Sequence, residues 1–410
     1  MSIRQIVPSL GLFLLLSFSN SVFAQDSVSS KTYEKLTDIQ EMMGANQIDE
    51  AHAALTELLT EVKKDTLDEA LTLQTIGYVE MARENFPKAI EYLKQSLATG
   101  KLPQNVVYNV GYMVAQLYAA LNKYDEALEF AEDWFTQLAT PTADQYIFMA
   151  NIYAQTKRYA ESVPYALKAI ENSDDPKENW YQLLTASYFE LQRLQDATVS
   201  LQLMVNRWPE KASYWEQLAS VYVMLEDEKS ALAVLKIAFG EKLLEKENTV
   251  KSLVQLAITQ GIPEQGARLM EEAFRREVLP ENEDYLKMLA MSLAAAKERP
   301  AAIAAYERMA QVTETGEPWI NISNLYVEIG DWKAAENALY KALESDLESP
   351  GKAWLLLGIA QAEQQKFEDA KKSLKKSVAF QETEKQATQW LKYAEDLKRQ
   401  ADWVAEFKDT

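Results

Sequence analysis

The residues able to perform catalysis or hold a metal are few in this chain of 410 residues. His52 is the only histidine, and there is no cysteine. A Ser-His-Asp triad would have to use His52, and a zinc site built from histidine and cysteine lacks ligands. Neither a GxxxxGK[ST] nor a GxGxxG phosphate loop occurs. We therefore predict no metal site and no cofactor, and we expect His52 to be an ordinary helix residue.

Aspartate and glutamate, whose carboxylates can act in acid–base catalysis, are present in large numbers. The chain has 62 aspartates and glutamates against 42 lysines and arginines, which gives a formal net charge of −20. Adjacent pairs such as Glu271-Glu272 are inevitable at this density, and neighbours on a helix do not face each other. The acidity argues against a nucleic-acid partner and favours a basic one. The alternative is that the charge only keeps a long chain soluble. We predict that the chain is not an enzyme.

The elements that must position these side chains recur along the sequence. A small residue appears ten times at intervals of 33 to 38 residues. We call these the marker residues: Ala51, Ala89, Ala127, Ser162, Ala197, Ala231, Gly266, Ala302, Ala335 and Ala370. A fixed period in this range is typical of a solenoid, in which each unit buries its apolar face against its neighbours.

Other residue types keep fixed distances from the marker residues. An aromatic residue lies sixteen positions earlier at Tyr146, Tyr181, Trp215, Trp319 and Trp354. An apolar and usually a small residue follow three and four positions later. A tyrosine comes three positions after these, at positions 118, 153, 188, 222 and 326. This pattern resembles the tetratricopeptide repeat, W-x2-L-G-x2-Y and then A-x3-F.

The resemblance covers roughly residues 32–380 and implies an all-α fold. We expect an α-α superhelical solenoid of about ten helix pairs over residues 32–383, with tight turns such as Asn122-Lys123-Tyr124 inside the pairs. Glu80 replaces the tyrosine of the second unit, and the seventh unit has Val250, Val254 and Ala257 at its aromatic, small and tyrosine positions. For the seventh unit, a local change of superhelix pitch and a loose joint both remain open.

The two ends of the chain differ from the repeats. Residues 1–24 have the form of a signal peptide, with Arg4, an apolar run over 6–18, and a small-residue site that predicts cleavage between Ala24 and Gln25. An uncleaved anchor is the alternative. Cleavage would remove Arg4, the only charge of this segment, and change the net charge from −20 to −21. We predict an exported, soluble, periplasmic protein with no transmembrane anchor.

The segments that flank the solenoid follow from these assignments. Residues 25–31 are predicted to be an N-terminal linker, and residues 384–410 a capping helix with a C-terminal tail. In the latter, Ala387, Trp390, Leu391 and Ala394 share one helical face, which suits a helix that covers the last repeat. Just before it, four lysines at positions 371, 372, 375 and 376 form the one basic cluster. We expect a solvated face there, with docking of an acidic partner or lipid headgroups as the alternative.

The resemblance also implies a binding surface. In tetratricopeptide-repeat proteins the first helix of each pair lines the concave groove, so side chains beside its packing positions would meet a partner. Here these are Gln74, Tyr78, Tyr112, Gln116, Ile147, Asn151, Gln155, Gln182, Phe189, Glu216, Ser220, Asn248, Lys251, Gln255, Asn324 and Glu328. Amides dominate, and they both donate and accept hydrogen bonds, which suits an extended peptide. Gripping of a C-terminal carboxylate is disfavoured, because only Lys251 and Lys287 offer a charge for it.

Two classes of function follow from this surface. The first is an exported scaffold that binds a peptide segment of another envelope protein. In length and export signal the chain resembles the tetratricopeptide-repeat proteins that accompany TonB–ExbB–ExbD energy-transducing systems of gammaproteobacteria, which implies a basic, proline-rich partner. Scaffolds for polysaccharide secretion or outer-membrane assembly are alternatives. The second class is an enzyme or small-ligand-binding protein built on a solenoid. The oligomeric state is not predicted.

Overall fold

The computed structural model of the chain describes residues 27–408, and every regular element within them is an α-helix. The helices are α1 (Ser30–Gly44), α2 (Ile48–Glu61), α3 (Leu67–Ala82), α4 (Phe86–Ala98), α5 (Gln104–Ala120), α6 (Tyr124–Thr136), α7 (Ala143–Gln155), α8 (Tyr159–Glu171), α9 (Glu178–Glu190), α10 (Leu194–Arg207), α11 (Ala212–Met224), α12 (Glu228–Gly240), α13 (Glu247–Thr259), α14 (Pro263–Arg275), α15 (Glu283–Ala295), α16 (Arg299–Thr313), α17 (Glu317–Glu328), α18 (Trp332–Glu344), α19 (Pro350–Glu363), α20 (Phe367–Val378) and α21 (Glu384–Lys408).

These helices form ten consecutive pairs, α1/α2 to α19/α20, followed by the single helix α21. The predicted all-α fold of about ten helix pairs with a C-terminal helix is confirmed. Helix α1 begins at Ser30, inside the segment 25–31 that we assigned to a linker, and α21 begins at Glu384. The predicted signal peptide and its cleavage site at Ala24 and Gln25 lie outside the described residues.

All ten marker residues lie in the second helix of a pair and are buried. Their size matters because the two helices of a pair approach closely. The first helix often contributes a small residue to the same contact. A methyl group added to Gly77 would lie 2.7 Å from the Leu93 side chain, and one added to Gly358 would lie 2.5 Å from that of Leu374. Small residues at these positions therefore set the distance between the paired helices.

The turn inside each pair has one shape throughout. The residue five positions before each marker has a positive φ, and the residue after it donates its backbone N–H to a carbonyl five positions earlier. The ten residues are Asn46, Glu84, Asn122, Lys157, Gln192, Glu226, Gly261, Lys297, Gly330 and Gln365. This is the Schellman arrangement that ends a helix with a left-handed residue. The predicted turns are confirmed, but only two of these residues are glycine.

Two compact units divide the chain, residues 1–204 and residues 205–410. In the first unit, buried residues form several local clusters, one of which surrounds Trp134 with aromatic side chains of α5, α6 and α7. In the second unit, one cluster runs from Ala219 to Ala338, and smaller clusters follow it up to Ala394 of α21. Each unit therefore has its own core.

The seventh pair, α13/α14, belongs to the core of the second unit. Val250, Val254 and Ala257, which stand at the aromatic, small and tyrosine positions of the repeat, are 0% exposed. They belong to one cluster with Leu253 and Leu286. This burial favours a packed pair over a loose joint.

Candidate partner-binding surface

His52, the one histidine of the sequence, contacts a buried glutamate of the second helix pair. Its Nε2 on α2 lies 2.8 Å from Oε1 of Glu80 on α3, and the Glu80 side chain is 0% exposed. Nη1 of Arg83 lies 3.1 Å from the same oxygen. Among the described side chains, none offers a hydrogen bond to the other oxygen, Oε2 of Glu80. His52 thus joins the first helix pair to the second.

A second polar group replaces a repeat tyrosine in the last pair. Gln361 of α19 donates from Nε2 to Oε1 of Glu336 on α18, at 3.2 Å, and Lys366 Nζ lies 2.6 Å from Oε2 of the same glutamate. Burial opposes ionisation of Glu336, but hydrogen bonds from Lys366, Gln361 and Gln364 outweigh it and lower the pKa of Glu336. This network holds the tenth pair on the ninth.

Neither the residues around Glu80 nor those around Glu336 have the composition of a metal centre. Over the described part of the chain, no three histidine, aspartate or glutamate side chains are grouped so that they could hold a metal ion. In the same residues, no helix is both long and apolar enough to cross a membrane.

Within each unit, we use the term first-helix face for the solvent-facing side chains of its odd-numbered helices, α1 to α9 in the first unit and α11 to α19 in the second. Eight of the predicted partner-binding residues lie on it as exposed side chains, namely Asn151, Gln155, Gln182, Ser220, Asn248, Gln255, Asn324 and Glu328. Six others are half-buried, namely Tyr78, Tyr112, Gln116, Phe189, Glu216 and Lys251. The exposed group consists mainly of amides, the composition that an extended peptide segment would require.

Two of the predicted residues lie in the interior. Gln74 is 3% exposed, and its Nε2 donates to the Tyr78 hydroxyl at 2.5 Å. Ile147 is 8% exposed and packs with Ala150 and Val163 in the core of the first unit. Both residues lie fifteen positions before a marker residue, and neither side chain is available to a partner.

Tyr112 has a structural role that the sequence did not reveal. Its ring stacks on Trp134 with centroids 4.3 Å apart, and Phe148 meets it edge-on at 5.0 Å. Burial raises the pKa of Tyr112 to about 12, although a hydrogen bond with Gln116 acts in the opposite direction. The residue belongs to the aromatic cluster that joins α5, α6 and α7, so its substitution would disturb folding.

Glu216 and Lys251 hold neighbouring first helices together. Glu216 of α11 accepts a hydrogen bond at 2.7 Å from Nζ of Lys246, the residue before α13. It accepts another at 2.9 Å from Oγ1 of Thr249, which lies in α13. Lys251 of α13 lies over the ring of Tyr285 on α15, 5.9 Å from its centroid. These links place α11, α13 and α15 side by side in the second unit.

The sequence analysis missed three exposed apolar residues on this face. Val223 and Met224 of α11 are 48% and 56% exposed, and Met291 of α15 is 56% exposed. Val223, Met224 and Met291 lie eight, seven and eleven positions before a marker residue, respectively. Asn151 and Gln155, which lie eleven and seven positions before the marker Ser162, were assigned to the groove. The missed signal was a large apolar residue at a position where the pattern predicts solvent exposure.

Most lysines of the basic cluster on α20 contact other side chains of the chain. Lys371 pairs with Glu395 of α21 at 3.0 Å, and Lys372 with Asp369 at 3.1 Å. Lys376 lies 3.9 Å from the centroid of the Trp354 ring. Three of the four charges are therefore already compensated or stacked, which favours a surface that stabilises the last pair over a docking site.

Comparisons with known proteins agree with the helix pairs. Models of the tetratricopeptide repeat match residues 143–176, 252–315 and 320–383, the segments of α7–α8, α13–α16 and α17–α20. No curated protein matches the chain.

Solved structures with which the chain aligns include several helical-repeat proteins. A tetratricopeptide repeat protein from Parabacteroides merdae is 13% identical, with a TM-score of 0.37, covering 65% of this chain and all of that one. YrrB, described as having an unusual peptide-binding site, is 17% identical with a TM-score of 0.34, covering 46% of this chain and 96% of that one. From the repeat matches and the helix pairs that coincide with them, we conclude that the chain carries tetratricopeptide repeats.

Proposed function

We propose that this chain is a scaffold that binds a segment of another protein along its first-helix face. The observation that carries the proposal is the exposure of amide side chains at an equivalent position of three first helices, Asn151 of α7 in the first unit and Gln255 of α13 and Asn324 of α17 in the second. All three lie eleven positions before a marker residue. Within a unit, stacked repeats present the side chains of equivalent positions on the same side, and repeat proteins use extended surfaces of this kind to bind partners.

The chemistry of the face suits recognition rather than catalysis. Amides can pair with both the N–H and the C=O groups of a bound chain. The two groups with unusual polar environments, His52–Glu80 and Glu336–Gln361, join helix pairs to each other instead of projecting from the first-helix face. A second class of function, an enzyme or small-ligand-binding protein, has no comparable support from the described residues.

The location and the partner belong to the same proposal. Arg4, the apolar run over 6–18 and the small residues before Gln25 support export to the periplasm with cleavage after Ala24. We propose that the partner is an envelope protein, and the acidity of the chain supports a basic segment such as the periplasmic, proline-rich stretch of a TonB-type transport system. Polysaccharide secretion and outer-membrane assembly are the other envelope processes that such a scaffold would serve.

Site-specific photo-crosslinking in cells tests the proposal. A photoreactive amino acid would replace Asn151, Gln182, Gln255 or Asn324 on the first-helix face, or Glu171 or Glu307 on second helices as controls; all six side chains are exposed. We expect a defined adduct from the first-helix positions and none from the controls. Equal labelling from both faces, or no adduct from either, would reject the proposed surface.

A further inference from the structure

Large apolar side chains lie exposed along one edge of the first-helix face in the second unit. They are Val223 and Met224 at the end of α11, Ile262 just after α13, Met291 in the second half of α15, and Ile329 just after α17. Their exposures range from 40% for Ile262 to 56% for the two methionines. We name these five residues the apolar strip.

The helices that carry the apolar strip are neighbours in the fold. Glu216 joins α11 to α13, and Glu247 of α13 accepts a hydrogen bond from the Tyr285 hydroxyl of α15 at 2.7 Å. Arg299, at the start of α16, pairs with Glu328 at the end of α17 at 3.3 Å. Packed helices lie about 8–10 Å apart, so exposed side chains on successive helices are within reach of one bound segment.

Most equivalent positions of the first helices hold small or polar residues. Seven positions before the markers these are Gly44, Ala82, Ala120, Gln155 and Glu190 in the first unit and Thr259, Ala295, Glu328 and Glu363 in the second, so Met224 is the exception there. Exposed apolar side chains that together form a patch are typical of interaction surfaces. Methionine is unbranched and polarisable, which lets one surface fit different apolar side chains.

The turns beside the apolar strip are predominantly acidic. Glu226 and Asp227 follow α11, Glu298 precedes α16, and Glu328 and Asp331 flank the turn after α17. The basic residues of these same turns are Lys297 and Arg299, and Arg299 is paired with Glu328. A bound segment would therefore meet an apolar surface with negative charge along its edge.

We propose that the apolar strip binds a peptide segment that combines large apolar side chains with flanking lysine or arginine residues. The inference rests on the proposed function and specifies the partner class for the second unit. The apolar side chains of the segment would cover Met224 and Met291, and its basic residues would pair with the carboxylates of the adjoining turns.

Selection from a library of random dodecapeptides tests this inference. The full chain would be compared with two double variants, Met224→Gln/Met291→Gln on the apolar strip and Ile237→Gln/Val312→Gln on the second helices α12 and α16. The control residues are 53% and 52% exposed, against 56% for each methionine. Circular dichroism and thermal unfolding would verify that both variants are folded.

We expect the wild type and the control variant to enrich peptides rich in Leu, Met or Phe and in Lys or Arg. The Met224→Gln/Met291→Gln variant should lose this enrichment, and synthetic versions of the enriched peptides should bind it about tenfold more weakly or worse. Enrichment of acidic or purely polar peptides would overturn the partner class and leave the proposed function standing. Equal binding by both variants would overturn the site, and no enrichment by the wild type would count against both proposals.

Discussion

At the scale of single residues, two substitutions in the repeat pattern are matched by a partner in the preceding helix pair. Glu80 and Gln361 occupy positions that hold a tyrosine elsewhere, and they contact His52 and Glu336. His52 and Glu336 each follow a marker residue directly, so both contacts join equivalent positions. A tyrosine position can thus be polar when the neighbouring pair supplies a complementary group.

The Glu80 contact predicts a large effect for a small change. We expect His52→Ala to lower the free energy of unfolding by about 2 kcal/mol, because it leaves a buried carboxylate with Arg83 as its remaining partner. Urea unfolding followed by circular dichroism measures this. The loss should be smaller when Glu80→Gln is already present, since the amide carries no charge. Simple addition of the two effects would show that the contact between His52 and Glu80 does not couple the two helix pairs.

The Glu336 network predicts a dependence on pH. The pKa of Glu336 lies below its ordinary value of 4.5, so its contribution to stability is complete above that value and is lost as the pH falls through the lowered pKa. We expect Glu336→Gln to be destabilising at pH 7 and progressively less so in acid. Glu344→Gln, an exposed change on the same helix, is the control for urea unfolding at each pH. A constant difference at all pH values would contradict this assignment.

At the scale of elements, the turns whose left-handed residue is neither glycine nor asparagine are conformationally strained. Lys157 and Glu226 adopt positive φ values of about 60°, which cost about 1–2 kcal/mol for a residue with a side chain. We expect Lys157→Gly and Glu226→Gly each to stabilise the chain by about 0.5–1 kcal/mol, after the entropy of glycine is subtracted. Thermal unfolding measures the gain.

Two further turn variants act as controls. Asn122→Gly should have little effect, because asparagine already tolerates the left-handed conformation, and Gly330→Ala should be destabilising. If all four variants shifted the unfolding temperature in the same direction, the strain would not lie in the turns.

The turns also show how far the sequence could predict this structure. The marker residues could be identified correctly as packing positions, because small residues at a fixed period can be recognised in the sequence itself. The left-handed residues were not apparent, because lysine, glutamate and glutamine occupy most of them. Gln74 and Ile147 were predicted to lie on the binding surface, but both are buried. The burial of such a position depends on how its helix is oriented against its neighbours, and the sequence alone does not determine that orientation.

At the scale of the whole molecule, stability should be local, because each helix pair packs mainly on the adjacent pairs. The helix α21 covers the last pair, with Ala387 and Ala394 buried in one cluster with Leu355 and Leu374. A change in this contact should therefore affect the end of the chain and leave distant pairs unchanged.

Ala394→Asp tests this locality, with Gln389→Asp as the control on an exposed position of the same helix. A buried, unpaired carboxylate should displace α21, and we expect hydrogen–deuterium exchange in α19 and α20 to accelerate by about thirtyfold, or about 2 kcal/mol. Amides of α1 to α8 should exchange as before, and the control should leave all helices unchanged. Uniform acceleration along the chain would mean that the ten pairs unfold as one cooperative block, and the nearest-neighbour account of stability would then be wrong.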